Sequence, residues 1–343
     1  PLWFTVSVPP EAKPGAYRGE VVIRQAKQSV AVPVELTVRS FRLPRPGTLA
    51  TAFGLYAPVL TRWYHGTRPY QEVMTPEQYL PWCEFLGRYR LTPKNLGREF
   101  VGITKSDDGS AKVDMSQLQK LITPLARKYY APYSFCVHRT PVGSDIGKGE
   151  GRTSANDPDV AAATVKAHAD EWKRQGFPEE VFVYGYDEPR REHYDFLRET
   201  YAKIKEAAPD FPIMQTIGDP NPVELAGLVD IWCPLSSRLD SPFYAERLRA
   251  GNTLWTYTCC SPKHPYANFF IDRPAVEHRL LFWQTRQYGA TGFLYWCICW
   301  WDGPPTADSG QPCFPAVPLH WADIGTYKSF KDNGDGWLLY PGP

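Results

Sequence analysis

Hydrophobic positions alternate with polar ones at the start of the chain and change rhythm near residue 48. Phe4-Thr5-Val6-Ser7-Val8, Glu20 to Arg24 and Val30 to Val38 follow the two-residue period of strands, with turn residues Pro14-Gly15 and Ala26-Lys27 between them. Three strands are too few for an independent sandwich core, so residues 1–44 read as the C-terminal strands of an N-terminal β-sandwich. Phe41-Arg42-Leu43-Pro44-Arg45-Pro46-Gly47 reads as a linker.

From residue 48 to 343, short apolar runs alternate with helical patterns. Strands are expected near Thr51–Tyr56, Arg90–Leu96, Tyr133–Cys136, Val181–Tyr186, Pro212–Thr216, Asp230–Cys233, Thr253–Thr258 and Gly292–Trp296. Thr75-Pro76-Glu77-Gln78 is a capping box with proline at the first helical position. Leu118, Leu121, Ile122 and Leu125 form one helical stripe, and Tyr194, Leu197, Tyr201 and Ile204 another. Asp272 is placed to cap a helix whose apolar face includes Val276, Leu280 and Trp283. Val101–Thr104 and Ala111–Val113 flank Asp107-Asp108-Gly109 as a hairpin. Eight strands alternating with helices predict an α/β fold, a (β/α)8 TIM-like barrel. A dinucleotide fold lacks its G-x-G-x-x-G signature.

Composition narrows the function classes. Net charge is +1 over 343 residues, which gives no argument for nucleic acid, and no apolar run is long enough for a membrane span. Aromatics reach 14%, with 12 Trp and 20 Tyr, and suit either stacking on sugar faces or filling a large core. The 8 Cys include the adjacent pair Cys259-Cys260 and the pair Cys297 and Cys299, but no C-x-x-C. Neither these nor the 7 His are spaced as a metal site, so no metal and no cofactor is expected. The opening Pro1-Leu2-Trp3 and closing Leu339-Tyr340-Pro341-Gly342-Pro343 suggest a catalytic barrel truncated at its C-terminus.

The chemistry concentrates in Tyr184-Gly185-Tyr186-Asp187-Glu188-Pro189, where a buried strand ends in two carboxylates. A barrel carries its active site at this end of its strands. Asp187 is equally suited to capping the helix that follows, and the two roles are compatible. Most glycosidases place two carboxyls about 5 Å apart or more across the scissile bond, which adjacent residues cannot do. Adjacent residues suit substrate-assisted cleavage, in which the 2-acetamido oxygen of the sugar is the nucleophile. Glu188 would then be the acid, its pKa raised by apolar neighbours such as Tyr184 and Tyr186. Asp187 would orient the acetamido group as an ion held by polar neighbours and the helix N-terminus.

The chain resembles glycoside hydrolase family 123, whose members are β-N-acetylgalactosaminidases. The resemblance rests on Leu2-Trp3-Phe4-Thr5-Val6-Ser7-Val8-Pro9, Pro14 to Gly19, Phe41-Arg42-Leu43-Pro44, Tyr186-Asp187-Glu188-Pro189, Gly292 to Trp296, Gly334-Asp335-Gly336 and Leu339-Tyr340-Pro341-Gly342, in that order. It implies a stabilising Asp187 and an acid/base Glu188, a carbohydrate substrate and a secreted or periplasmic location. Candidate substrate-binding residues are Tyr257 for the acetamido oxygen, Asn268 for hydroxyls, Trp296 and Trp300 for stacking, and His138 and Asn95 at strand ends. Each also has an ordinary structural reading, as a rim tyrosine, a turn asparagine, core tryptophans or a packed histidine. The rivals are a glycosidase with a conventional nucleophile, for example near Glu99, and a non-catalytic glycan-binding barrel.

Overall fold

The computed structural model describes residues 4–43, 47–65, 74–94, 96–125, 156–178, 180–301 and 334–341. Contacts divide the chain into two compact units, Pro1–Arg45 and Pro46–Pro343. The first unit holds one long antiparallel hairpin, β1 (Gly15–Gln25) and β2 (Gln28–Val38), in register from Gly15 opposite Val38 to Gln25 opposite Gln28. Arg18 and Glu35 face each other across it at 3.0 Å. Phe4 to Val8, expected as a third strand, is irregular.

The second unit begins with β3 (Ala50–Phe53), α1 (Ala57–His65), α2 (Pro76–Arg88), α3 (Leu96–Glu99), the hairpin β4 (Gly102–Lys105) and β5 (Ala111–Asp114), and α4 (Ser116–Leu125). It continues with α5 (Pro158–Arg174), β6 (Val183–Tyr184), α6 (Tyr194–Ala207), β7 (Ile213–Ile217), β8 (Ile231–Pro234), α7 (Pro242–Arg249), β9 (Thr253–Thr258), α8 (Val276–Gln287) and β10 (Gly292–Tyr295). The capping box at Thr75 forms: its hydroxyl accepts from Gln78 N–H, and the Gln78 side chain accepts from Thr75 N–H.

Six strands form one parallel sheet in the order β3-β10-β9-β8-β7-β6. The fold is therefore mixed α/β with a curled half-barrel sheet, and the closed (β/α)8 barrel is met only in part. The second expected strand contributes a single parallel bridge, Pro93 to Phe53. The third, Tyr133–Cys136, lies outside the described residues.

Strand alternation sorts side chains into two cores. Ala52, Phe182, Tyr184, Met214, Cys233, Trp255, Tyr257 and Leu294 share one face. Phe53, Val183, Ile213, Trp232, Leu254, Phe293 and Tyr295 point the other way, into the larger core under the helices. One helix departs from its expected facing. Along α8, Val276, Leu280 and Trp283 are exposed, Trp283 to 74%, whereas Leu281 and Thr285 are buried. The cap is Ala275 rather than Asp272.

Gly54 follows β3 where the chain crosses the segment after β10. A Cβ there would lie 1.8 Å from the Trp296 carbonyl oxygen, and backbone cannot swing aside as a side chain does. Gly54→Ala is expected to cost about 3 kcal/mol or more through overpacking. Urea unfolding checks this: the midpoint should drop at constant slope, and an unmoved midpoint would remove the argument.

Candidate active site

Only two residues of β6 make ladder pairs, Val183 with Ile213 and Tyr184 with Met214. Beyond them, Gly185 N–H still donates to Met214 O at 2.7 Å, and then buried side chains take over. Tyr201 Oη, from α6, accepts from Tyr186 N–H at 3.0 Å and donates to Gln215 Oε1. Gln215 Nε2 donates to Tyr186 O and to Thr216 O. Gly185 sits inside this cluster; a Cβ would lie 2.4 Å from Tyr201 Oη and 2.7 Å from Gln215 Oε1. Glycine is required there by close approach.

The two carboxylates leave this fixed point in different directions. Asp187 Oδ1 accepts from Tyr184 Oη at 2.8 Å and from Thr216 Oγ1 at 3.1 Å. Those hydroxyls are also 3.1 Å from each other, but they own two protons between them. When both protons point at the acid, the Tyr184–Thr216 approach carries none. Asp187 does not cap α6, which starts only at Tyr194 after a 3-10 turn over Arg191–His193. Hydroxyls take the place of the expected helix terminus. Lys94 Nζ lies 4.0 Å over the Tyr184 ring.

Glu188 has a φ of +44°, a left-handed conformation uncommon outside glycine. Such strain gathers at functional positions. Its Oε1 accepts a short hydrogen bond from Tyr257 Oη at the end of β9. Glu188 keeps exposed area at the pocket mouth, yet protein surrounds the carboxyl group closely. That lost hydration raises its pKa above the ordinary glutamate value. The Tyr257 hydrogen bond pulls the other way, and the nearby Asp187 charge adds to the rise. Tyr186 is not part of this environment, because it turns outward onto Phe196 (centroids 5.5 Å apart) and Tyr201.

A pocket of about 360 Å³ opens beside Glu188, walled by residues that follow β6, β7, β8 and β9. Its lining includes Glu188, Arg190, Asp219, Tyr257, Cys259 and Cys260. Arg191, also in the wall, is neutralised by Asp219 at 2.9 Å and Glu224 at 2.6 Å.

The other expected residues divide. Tyr257 reaches the site, but its hydroxyl proton is directed at Glu188. Asn268 is fully buried: Nδ2 donates to Cys259 O and Pro262 O, both at 3.0 Å, and Oδ1 accepts from Phe269 N–H. It staples the loop after β9 and is outside the lining of this pocket. Trp296 and Trp300 pack on each other at 5.3 Å and are partly buried, outside the lining of this pocket. Trp296 Nε1 donates to Asp335 Oδ1 at 2.8 Å, and Tyr295 Oη reaches the same oxygen at 3.1 Å. His138 and Asn95 lie outside the described residues. Glu99 Oε2 accepts from Ala57 N–H at 2.8 Å, at the start of α1, which is a structural use of that acid. No cluster of three metal-ligating side chains occurs among the described residues.

Sequence reading gave no role at the site to Thr216, Gln215, Tyr201 or Asp335, although Tyr201 was read in a helical stripe and Asp335 in a motif. Thr216 was within reach, since two-residue alternation puts it on the face of Met214 and Tyr184. Tyr201→Phe would strand a buried amide and the Gln215 oxygen. It is expected to cost about 1–3 kcal/mol in chemical denaturation. An unchanged unfolding midpoint would mean that the cluster is not what fixes the strand end.

The catalytic-domain model of glycoside hydrolase family 123 matches residues 158–343, a span holding both carboxylates and Tyr257. A solved family 123 glycoside hydrolase from Clostridium perfringens, described in connection with glycolipid glycan hydrolysis, superposes with a TM-score of 0.66 at 16% identity. That match covers 97% of this chain and 62% of the other, and at this identity it is a likeness of fold. A β-glucuronidase from an uncultured Clostridium sp. is far weaker, with a TM-score of 0.41, 10% identity and coverage of 81% and 50%. No match was found among curated proteins. With the family model covering over half of its length, the chain belongs to glycoside hydrolase family 123.

Proposed function

We propose that the protein is a retaining exo-β-N-acetylhexosaminidase, acting on β-linked N-acetylgalactosamine through the sugar's own acetamido group. The observation that carries this reading is the divergence of two adjacent acids. Asp187 is an acceptor for two hydroxyls, and Glu188 is a desolvated acid tuned by one phenol. Paired carboxyls in separate environments are how one site runs acid and base steps together.

In the first step the acetamido carbonyl oxygen attacks the anomeric carbon while Glu188 gives its proton to the departing oxygen. Asp187 accepts the acetamido N–H and stabilises the positive charge that develops on the oxazoline. Glu188, now ionised, takes a proton from water as that water opens the ring, giving net retention. No cofactor enters these steps. Tyr257 controls the balance: its O–H favours the ionised Glu188 and opposes the effect of burial. The glycolipid glycans associated with the Clostridium perfringens relative make glycoconjugate termini the natural substrates to try.

Nitrophenyl β-glycosides test the reading. Release is expected from the N-acetylgalactosaminide and none from the plain galactoside, which lacks the internal nucleophile. Asp187→Asn and Glu188→Gln are each expected to lose about a hundredfold or more in kcat. Turnover of the galactoside at a comparable rate would overturn the assisted mechanism.

The pH profile carries a second prediction. The acid form of Glu188 is the active one, so activity is lost as pH rises through its raised pKa. Tyr257→Phe removes the hydrogen bond that favours the ionised form, so the pKa rises further. The alkaline limb of kcat/KM is expected to move to higher pH, whatever the change in maximal rate. A shift to lower pH would contradict the assignment of Glu188 as the acid.

A further inference from the structure

We propose that Cys259 and Cys260 form a dithiol–disulfide modification site in the wall of the Glu188 pocket, oxidised by peroxide-class oxidants and restored by thiols. Both cysteines are free thiols, partly exposed, and both line that pocket. They follow directly on β9, one residue beyond Tyr257-Thr258, so the phenol that holds Glu188 and the two thiols share one short segment. The backbone there is pinned: Cys259 N–H donates to Ser261 O at 2.8 Å, and Asn268 holds the carbonyls of Cys259 and Pro262. The loop therefore keeps both sulfurs at the pocket.

The thiols are hydrogen-bonded to each other and are not equivalent. Donation from Cys259 pulls the Cys260 pKa below the ordinary thiol value, whereas the Cys259 pKa is pushed up. Cys260 is thus the better nucleophile and Cys259 the resolving thiol. Cys260 thiolate attacks one peroxide oxygen, the O–O bond breaks, and hydroxide leaves as sulfenic acid forms. Cys259 sulfur then attacks the sulfenic sulfur, the S–O bond breaks, and the Cys259 proton leaves with that oxygen as water. Two thiols and one hydrogen peroxide give one disulfide and two waters. Neighbouring Cα atoms lie about 3.8 Å apart, below the usual disulfide range of about 4.4–6.8 Å. The bond is consequently strained and readily reduced, as regulatory disulfides are. The ring it closes would stiffen the pocket wall next to Tyr257.

The test treats the full chain with hydrogen peroxide, then alkylates, digests and weighs the peptide containing residues 259 and 260. The expected peptide is two hydrogens lighter and takes no alkyl group, and dithiothreitol restores two alkylatable thiols. In Cys259→Ser, oxidation should stop at a dimedone-reactive sulfenic acid on Cys260. In Cys260→Ser, Cys259 should stay alkylatable. Two alkylated cysteines after peroxide, a disulfide to another molecule, or a sulfonic acid on Cys260 would each overturn the proposal.

The effect on catalysis rests on the hexosaminidase reading. The oxidised chain is expected to hydrolyse the N-acetylgalactosaminide severalfold more slowly, with recovery in dithiothreitol. Formation of the disulfide without a change in turnover would overturn its action on the pocket. A reduced chain inactive on every glycoside would count against the hexosaminidase reading alone, because the peptide masses are read independently of turnover.

Discussion

The site depends on one buried junction, the hydrogen bonds joining Tyr186, Tyr201 and Gln215 beneath the end of β6. A two-residue strand has little ladder to hold it. Where the ladder stops, the Gln215 amide spans the gap, accepting from Tyr201 and donating to the carbonyls of Tyr186 and Thr216. A buried amide has few alternative partners, and leaving any of these groups unpaired would cost more than the bond itself yields. The backbone at Tyr186 is thus tied both to α6 and to β7, and the next residue starts from a fixed place.

Divergence of the acids follows from that fixed start. Thr216 shares a strand face with Met214, and it meets Asp187 together with Tyr184, so Asp187 is held on the Tyr184 face of the sheet. A left-handed residue then reverses the local course of the chain, and Glu188 emerges against Tyr257 three sheet positions away. Neighbours in sequence thereby obtain different hydrogen-bond partners, Tyr184 and Thr216 for Asp187 and Tyr257 for Glu188. A regular extended backbone would also have separated them, but to opposite faces, with one acid lost into the helical layer.

Much of this was legible in the residues. Short apolar runs between helical patterns located the six parallel strands, and the abrupt end of one run marked the acids. The failures have physical causes. Alternation puts Tyr186 on the same face as Tyr184, but the strand geometry ends at Gly185 and Tyr186 turns outward. In α8 the stripe Val276, Leu280 and Trp283 satisfies helical spacing, yet the sheet covers the strip through Leu281 and Thr285. Spacing gives a period without choosing its phase when both strips carry large side chains. Asn268 looked available because it is polar and in a loop. Whether two distant carbonyls turn inward to meet its amide is a tertiary fact.

Three carboxylates beside the ends of β6 and β10 accept hydrogen bonds from neutral side chains. Asp187 is met by Tyr184 and Thr216, Glu188 by Tyr257, and buried Asp335, 3% exposed, by Tyr295 and Trp296. Among the described residues no Lys or Arg forms an ion pair with either Asp187 or Glu188, whereas Asp219 at the pocket edge is paired with Arg191. The distinction matters for acid chemistry. A guanidinium beside Glu188 would favour its ionised form and remove the proton that the proposed reaction needs. Neutral donors satisfy the same oxygen atoms with a smaller bias, leaving burial free to raise the pKa. Lys94 lies over the ring of Tyr184, on the face of the phenol whose hydroxyl serves Asp187.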